Sequence, residues 1–224
     1  MTYPFLSTAS VELDSVLDML LNGGPFMVPI ALASVLALGF FVERALRLSD
    51  SHLGSKRLGR NIVEALKSQG PARALELCDE KPRALGRVLG AGLRRASEPM
   101  ANFEKAVEDA GSREVKRMSS NLRPLIVIGM IAPLLGLLGT VWGMIEAFSD
   151  IAGQDGIGKP ELLAGGISQA LITTAAGLCV AIPTQTAYYW LRGKIDRFVH
   201  RSEDFYVELA EGLEAQRESA EARA

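Results

Sequence analysis

Residues 162–191 read LLAGGISQALITTAAGLCVAIPTQTAYYWL and contain no Asp, Glu, Lys, Arg or His. An α-helix rises about 1.5 Å per residue, so about 20 apolar residues cross the hydrocarbon core of a bilayer, which is about 30 Å thick. Two earlier uncharged runs, Met19 to Val42 and Pro124 to Ile145, are also long enough. The sequence therefore predicts an all-α membrane protein with three transmembrane helices.

The overall composition conceals these spans, because the mean hydropathy is only +0.18 and the formal net charge is −2. The charged residues are concentrated between the first two runs, where residues 47–121 hold more than half of the 24 Lys and Arg residues together with many acids. Such a section is typical of a soluble helical insertion. The near balance of charge gives no indication of nucleic-acid binding.

Basic residues flank one end of each predicted span. Because Lys and Arg are enriched in cytoplasmic loops, these ends are predicted to be cytoplasmic, with the N-terminus outside and the C-terminus inside. The bases concerned are Arg44 and Arg47 after the first span, Arg113, Lys116, Arg117 and Arg123 before the second, and Arg192, Lys194, Arg197 and Arg201 after the third.

Apolar residues recur at helical spacing before the first span and predict an amphipathic helix on the outer membrane surface, which ends at Gly23-Gly24-Pro25.

The polar section contains three predicted helices. The first has an apolar stripe from Leu58 and ends at Gly70, and the second ends near Lys81. A long third helix from about Pro99 approaches the second span, with a kink at Pro124. The predicted organisation is an N-terminal periplasmic helix at 1–24, a first span at 25–46, a cytoplasmic helical domain at 47–123, a second span at 124–148, a periplasmic loop at 149–163, a third span at 164–191 and a cytoplasmic C-terminal helix at 192–224.

The second and third spans are rich in small residues. Membrane helices gain nothing hydrophobic from touching each other, so close backbone approach through small residues drives much of their association. We expect these glycines to pack helices, within the hairpin or between subunits; they include Gly136, Gly139, Gly143, Gly166 and Gly177.

Two threonines lie at similar predicted depth. Counted from Phe148 and Ala164 as outer ends, Thr140 is ~12 Å and Thr174 ~15 Å inside the membrane. Several copies around an axis could use these hydroxyls to line a polar path; alternatively, each hydroxyl bonds its own helix backbone and faces a neighbouring helix. Thr173 and Gln169 share an adjoining face, so each contacts either the pore or another subunit.

No ionisable side chain lies deep in any predicted span, because Glu43 and Glu146 lie near span ends. A proton relay within the bilayer normally needs a carboxylate or imidazole there. The same absence argues against an intramembrane protease, and no phosphate-binding loop is present, so we expect no catalytic residues and no enzyme. Cys78 and Cys179 form neither a metal motif nor a disulfide pair, and nothing indicates a metal or another cofactor. If this protein conducts protons, another polypeptide must supply the carrier.

Two motifs carry a family resemblance: GLLGTVWGMIEAF at residues 136–148 and ISQALITTAAGLCVAIPT at residues 167–184. Together they closely resemble the second and third transmembrane helices of the MotA/TolQ/ExbB proton-channel family. The three-span layout is similar to the ExbB and TolQ branch, since flagellar MotA proteins have four spans.

This resemblance implies a homo-oligomeric ring, typically a pentamer, in a bacterial inner membrane, with long helices extending into the cytoplasm. It implies a single-span partner of the ExbD or TolR type, present as two copies in the central pore and carrying the protonatable aspartate. It also implies that Thr140 and Thr174 line the pore. Many ExbB and TolQ proteins carry a glutamate where this chain has Gln169, and a neutral amide cannot shuttle a proton.

The implied function is a proton-channel motor subunit that uses the proton motive force to do work on the cell envelope. A sodium-driven motor and a non-conducting membrane scaffold remain alternatives. The energised process stays open among nutrient uptake through a TonB-like protein, Tol-Pal envelope maintenance and surface motility.

Overall fold

The computed structural model describes residues 23–80, 82–153 and 160–222. The predicted N-terminal amphipathic helix lies almost wholly outside these residues. Every regular element among the described residues is a helix, which confirms the all-α prediction. The helices are α1 (Met27–Arg47), α2 (Asp50–Leu53), α3 (Lys56–Gln69), α4 (Pro71–Glu80), α5 (Ala84–Leu93), α6 (Met100–Ser120), α7 (Arg123–Gly153) and α8 (Pro160–Glu221).

Within the described residues, three helical stretches are long and apolar enough to cross a membrane. They lie in Met27–Arg47, Met100–Ala152 and Ala164–Ser219, with mean hydropathies of 1.7, 2.2 and 1.6 over their most apolar windows. Most of their large apolar side chains are exposed in the single chain, as Leu32, Leu134 and Ile182 illustrate at 60%, 62% and 64%. A soluble protein rarely leaves so much apolar surface uncovered, so the exposure is that of helices that face lipid or other subunits.

The chain divides into two compact units. One, the span unit, comprises residues 1–41 and 124–188; the other, the polar unit, comprises residues 42–123 and 189–224. Helix α8 contributes its first part to the span unit and its second part to the polar unit.

The polar unit buries one stripe from each of its longer helices. Leu58, Ile62 and Leu66 give α3 a buried face, and Ser55 caps its N-terminus by accepting a 3.3 Å hydrogen bond from the Leu58 N–H. The second part of α8 supplies residues that recur every three or four positions, as expected for one helix face: Leu191, Ile195, Phe198, Ser202, Phe205 and Leu209. Phe103 of α6 stacks on Tyr206 with ring centroids 6.0 Å apart.

Several helix ends differ from the predicted bounds. Helix α7 continues past Phe148 to Gly153, and α8 begins at Pro160, so both extend into the segment predicted as a loop. Helix α8 also continues through Arg192, where a span and a separate helix were predicted, because a change of polarity does not interrupt backbone hydrogen bonds. Helix α5 was not singled out from the sequence, since most of its residues are buried and it lacks a broad polar face.

Candidate channel wall

A seam of glycines joins α7 and the first part of α8 in the span unit. A Cβ added at Gly136 would lie 2.9 Å from the Thr173 carbonyl oxygen, and one at Gly139 would lie 2.6 Å from Thr173 Oγ1. At Gly177, an added Cβ would lie 2.6 Å from the Ala132 carbonyl oxygen. The two backbones therefore approach so closely that these positions have no room for a side chain.

The seam continues toward the C-terminal end of α7. A Cβ at Gly143 would lie 3.3 Å from the Ala170 Cβ, and Gly166 directly faces Ala147. The five glycines singled out from the sequence thus all lie between the two helices.

The three threonines near this seam use their hydroxyls differently. Thr140 donates to the Leu137 carbonyl at 2.6 Å, and the buried Thr173 donates to the Ala170 carbonyl at 2.7 Å, so both bond their own helix. Thr174 instead donates across the seam to the Gly136 carbonyl at 3.1 Å. Thr174 therefore ties the two helices together.

Thr140 and Thr174 lie at similar depth along the helix pair, because their neighbours Gly139 and Thr173 pack against each other. Both are only partly exposed. Thr140 also belongs to an open groove along α7 with four apolar side chains: Val141, Met144, Ile145 and Phe148. Although its hydroxyl proton is engaged, the Thr140 oxygen can still accept a hydrogen bond.

A polar contact that was not predicted from the sequence crosses the seam near the N-terminal end of α7. Pro133 has no N–H, so the carbonyl of Gly129, four residues earlier, lacks its helical donor. Gln185 Nε2 of α8 donates to that oxygen at 3.3 Å. An unpaired carbonyl in an apolar setting is costly, and Gln185 supplies the missing bond. The sequence contains the two residues concerned, Pro133 and Gln185, but only the packing shows that the Gln185 amide reaches the Gly129 carbonyl.

Gln169 lies beside the entry to α1 rather than among the seam glycines. Gly24 has a φ of 71°, and a Cβ built there would collide with the Gln169 side-chain amide. Glycine is suited to this position by both its conformation and the space available. In the C-terminal half of α7, Trp142 Nε1 donates to Glu146 at 2.7 Å, and the Trp142 ring lies 6.1 Å from that of Phe26.

No cluster of three potential metal ligands occurs in the described part of the chain. Residues 124–145 and 162–191 also lack Asp, Glu, Lys, Arg and His throughout. The site thus offers closely packed helices, hydroxyl oxygens and backbone carbonyls, and these two runs contain no acidic or basic side chain.

Comparison with known proteins shows which family contains this pair of helices. The model of the MotA/TolQ/ExbB proton channel family matches residues 80–204, which include both motifs and the whole seam. The chain belongs to this family.

Relatives within the family carry ExbB names. Biopolymer transport protein exbB1 of Vibrio cholerae is 35% identical over 163 residues, which cover 69% of each chain. Biopolymer transport protein ExbB-like 1 of Synechocystis is 37% identical over 169 residues, covering 74% of this chain and 66% of that protein. The family resemblance predicted from the two motifs is therefore confirmed. The three-span layout predicted the ExbB and TolQ branch, and these relatives support its ExbB side.

A solved structure described as that of C. jejuni MotAB has the same fold. It superimposes with a TM-score of 0.62 and covers 95% of this chain and 91% of its own, at 18% sequence identity. Members of this proton-channel family are channel subunits, and both helices of the seam contribute to the residues that the family model matches.

Proposed function

We propose that this chain forms the wall of a proton channel and works as the stator-type subunit of an ExbB-ExbD or TolQ-TolR type complex. One observation carries the proposal. The two helices that resemble the family's channel helices pack backbone to backbone and bring Thr140 and Thr174 to similar depth, in runs that contain no acidic or basic side chain. Such a wall can guide a proton or a water but cannot carry the proton itself.

The carrier in this proposal is an aspartate on a single-span partner helix. Two copies of that helix occupy the centre of a ring of this chain, a pentamer, in the bacterial inner membrane. The open apolar groove beside Thr140 supports this arrangement, because it offers side chains for a helix to pack on and one hydroxyl oxygen that can accept a hydrogen bond from a protonated carboxyl group.

The orientation follows from the flanking bases, with the N-terminus periplasmic and the polar unit cytoplasmic. The complex would use the proton motive force to energise outer-membrane transport or another envelope process, in which a TonB-like protein is a further partner. Gln169 would play a packing role beside Gly24, which is consistent with its neutral amide.

The test is proton flux into vesicles that contain the purified complex with its partner. We expect Thr140→Val combined with Thr174→Val to lower flux by about tenfold or more, equivalent to raising the barrier by roughly 1.4 kcal/mol. The complex should stay assembled on size-exclusion chromatography. Thr174 also ties the helices together. Thr174→Ser with Thr140 unchanged keeps the hydroxyl at position 174, so this variant should keep the proton flux of the wild type.

Thr186→Val is the matched control, since Thr186 is an exposed threonine of α8 whose hydroxyl donates at 2.8 Å to its own helix at Ile182. Undiminished flux in the double valine variant would remove the channel-wall proposal. Partner-bound complexes without any flux would favour the scaffold. Flux that follows a sodium gradient and survives a protonophore would assign the ion as sodium.

A further inference from the structure

A large basic pocket lies in the polar unit, apart from the candidate channel wall. It has a volume of about 780 Å³ and is built from the last turn of α1, helix α2, the start of α5 and the end of α6. Among the described residues, five arginines line it but only one carboxylate does, that of Glu114. The arginines are Arg44, Arg47, Arg83, Arg87 and Arg117.

The available carboxylates neutralise only part of this charge. Glu114 accepts two hydrogen bonds from Arg87, at 2.7 and 2.9 Å, so that pair is satisfied within itself. Glu43, just outside the pocket, lies 3.2 Å from Arg44 and 3.1 Å from Arg47. Among the described residues, no carboxylate forms an ion pair with Arg83 or Arg117. The pocket therefore keeps a surplus of positive charge.

One donor in the pocket wall also lacks an acceptor. Arg44 Nε is buried and has no hydrogen-bond partner among the described residues. A buried donor without a partner is costly, so an acceptor oxygen bound in the pocket would remove that cost. Planar guanidinium groups match the oxygens of a phosphate especially well.

The position of the pocket indicates where such a phosphate comes from. Arg44 and Arg47 are the last basic residues of the membrane-crossing helix α1, and Asn121 at the pocket rim lies just before α7. Apolar side chains, including the buried Leu48 and Leu53 and also Met118, form part of the same lining. Phosphate-binding groups thus adjoin an apolar wall where a helix leaves the bilayer, the setting in which anionic lipid headgroups bind.

We propose that this pocket binds the phosphate-centred headgroup of an anionic phospholipid. The guanidinium groups of Arg83 and Arg117 hold the phosphate, and Arg44 Nε donates to one of its oxygens. The apolar lining packs against the glycerol end of the acyl chains. This inference does not rest on the proposed function, because lipid binding here requires neither ion conduction nor a partner helix.

The test is native mass spectrometry of the full-length protein, released from micelles that contain phosphatidylglycerol or phosphatidylcholine with the same acyl chains. We expect preferential retention of phosphatidylglycerol. Arg83→Gln combined with Arg117→Gln should weaken this retention, by roughly fivefold for each arginine removed. Arg83→Lys with Arg117→Lys keeps the charge and should retain most of the binding.

The matched control is Arg57→Gln with Arg60→Gln, which removes the same charge from exposed positions of α3 outside the pocket. Equal loss in both pairs of glutamine variants, or no loss in the pocket pair, would overturn the proposal. A final arm adds free glycerol 3-phosphate at millimolar concentration. Failure to displace the lipid supports the membrane as the source, whereas saturable binding of the free phosphate in its place overturns that assignment.

Discussion

Small residues control how closely α7 and α8 approach, because an added Cβ at a seam glycine would meet atoms of the opposite helix. Gly177 and Gly165 stand on the same helix, yet Gly177 faces the Ala132 carbonyl while Gly165 has nothing within 4 Å of an added Cβ. The two glycines look alike in the sequence. The packing alone distinguishes an indispensable glycine from a replaceable one.

Gly177→Ala is expected to destabilise the span unit. The new Cβ would lie 2.6 Å from a backbone oxygen, so the helices must separate, at a cost of about 1–3 kcal/mol. Gly165→Ala should be neutral or slightly stabilising, since alanine has the higher helix propensity. Unfolding in mixed detergent micelles, followed by circular dichroism, measures both. Equal stability of the two variants would contradict the close backbone contact at Gly177.

Glu114 should make the stability of the polar unit depend on pH. The hydrogen bonds from Arg87, and then its charge, hold the pKa of the Glu114 carboxyl below its usual value of 4.5. A carboxyl with a lowered folded-state pKa contributes stability above its unfolded-state pKa and loses it as pH falls through the folded-state value. The relevant window therefore lies below pH 4.5.

Glu114→Gln is expected to destabilise the protein by about 1 kcal/mol at neutral pH, as for a partly exposed but bidentate pair. The difference from wild type should shrink as the pH is lowered below 4.5. Thermal unfolding at a series of pH values provides the measurement. Glu108→Gln, an exposed acid of the same helix, is the control and should show no such convergence.

Helix α7 carries a proline in its interior, and a residue of the opposite helix compensates for it. Pro133 leaves the Gly129 carbonyl without a helical donor, and Gln185 of α8 provides one at 3.3 Å. The Gln185 stem also packs on Gly129, where an added Cβ would lie 2.8 Å from Gln185 Cγ. The carbonyl that the proline of α7 leaves without a donor is thus the one to which α8 binds.

A double-mutant cycle tests this compensation. We expect Gln185→Leu to destabilise the protein by about 1 kcal/mol, since it leaves a carbonyl unpaired in an apolar setting. In the Pro133→Ala background the new N–H can bond the Gly129 carbonyl, so the same substitution should cost less than half as much. Unfolding in mixed micelles gives the four free energies. An equal cost of Gln185→Leu in both backgrounds would argue against the compensation.

The two units of the molecule differ in how their apolar surface is covered. The span unit leaves apolar surface uncovered and requires lipid or other subunits, whereas the polar unit encloses its own core. That core draws on segments far apart in the chain, since the second part of α8 packs with the helices between residues 42 and 123. Gln216 and Arg217 extend this contact by donating to the Leu66 carbonyl at 2.6 Å and to the Ala96 carbonyl at 2.7 Å.

Ending the chain after Arg192 should therefore unfold the polar unit. Each large apolar side chain contributes about 1.5–3 kcal/mol when buried, so losing five of them removes an amount comparable to the whole stability of a domain, about 5–15 kcal/mol. The five are Ile195, Phe198, Phe205, Leu209 and Leu213. Limited trypsin digestion should then cut within residues 56–95, which the intact protein protects.

A chain ending after Glu218 is the control, because it keeps every one of these buried residues and should remain as resistant as wild type. Unchanged resistance in the shorter variant would show that the polar unit folds without α8.

The sequence by itself determined the three spans, the all-helical class and the family, because a long uncharged run and a contiguous motif are local properties that can be read without knowing any contact. Only the tertiary structure decided which glycines face a backbone, which carbonyl Gln185 reaches, and that Arg44, Arg83 and Arg117 line one pocket. These features depend on the rotation of each helix about its axis and on contacts between residues far apart in the chain. A short stretch of sequence determines neither the rotation of a helix nor its contacts with distant residues.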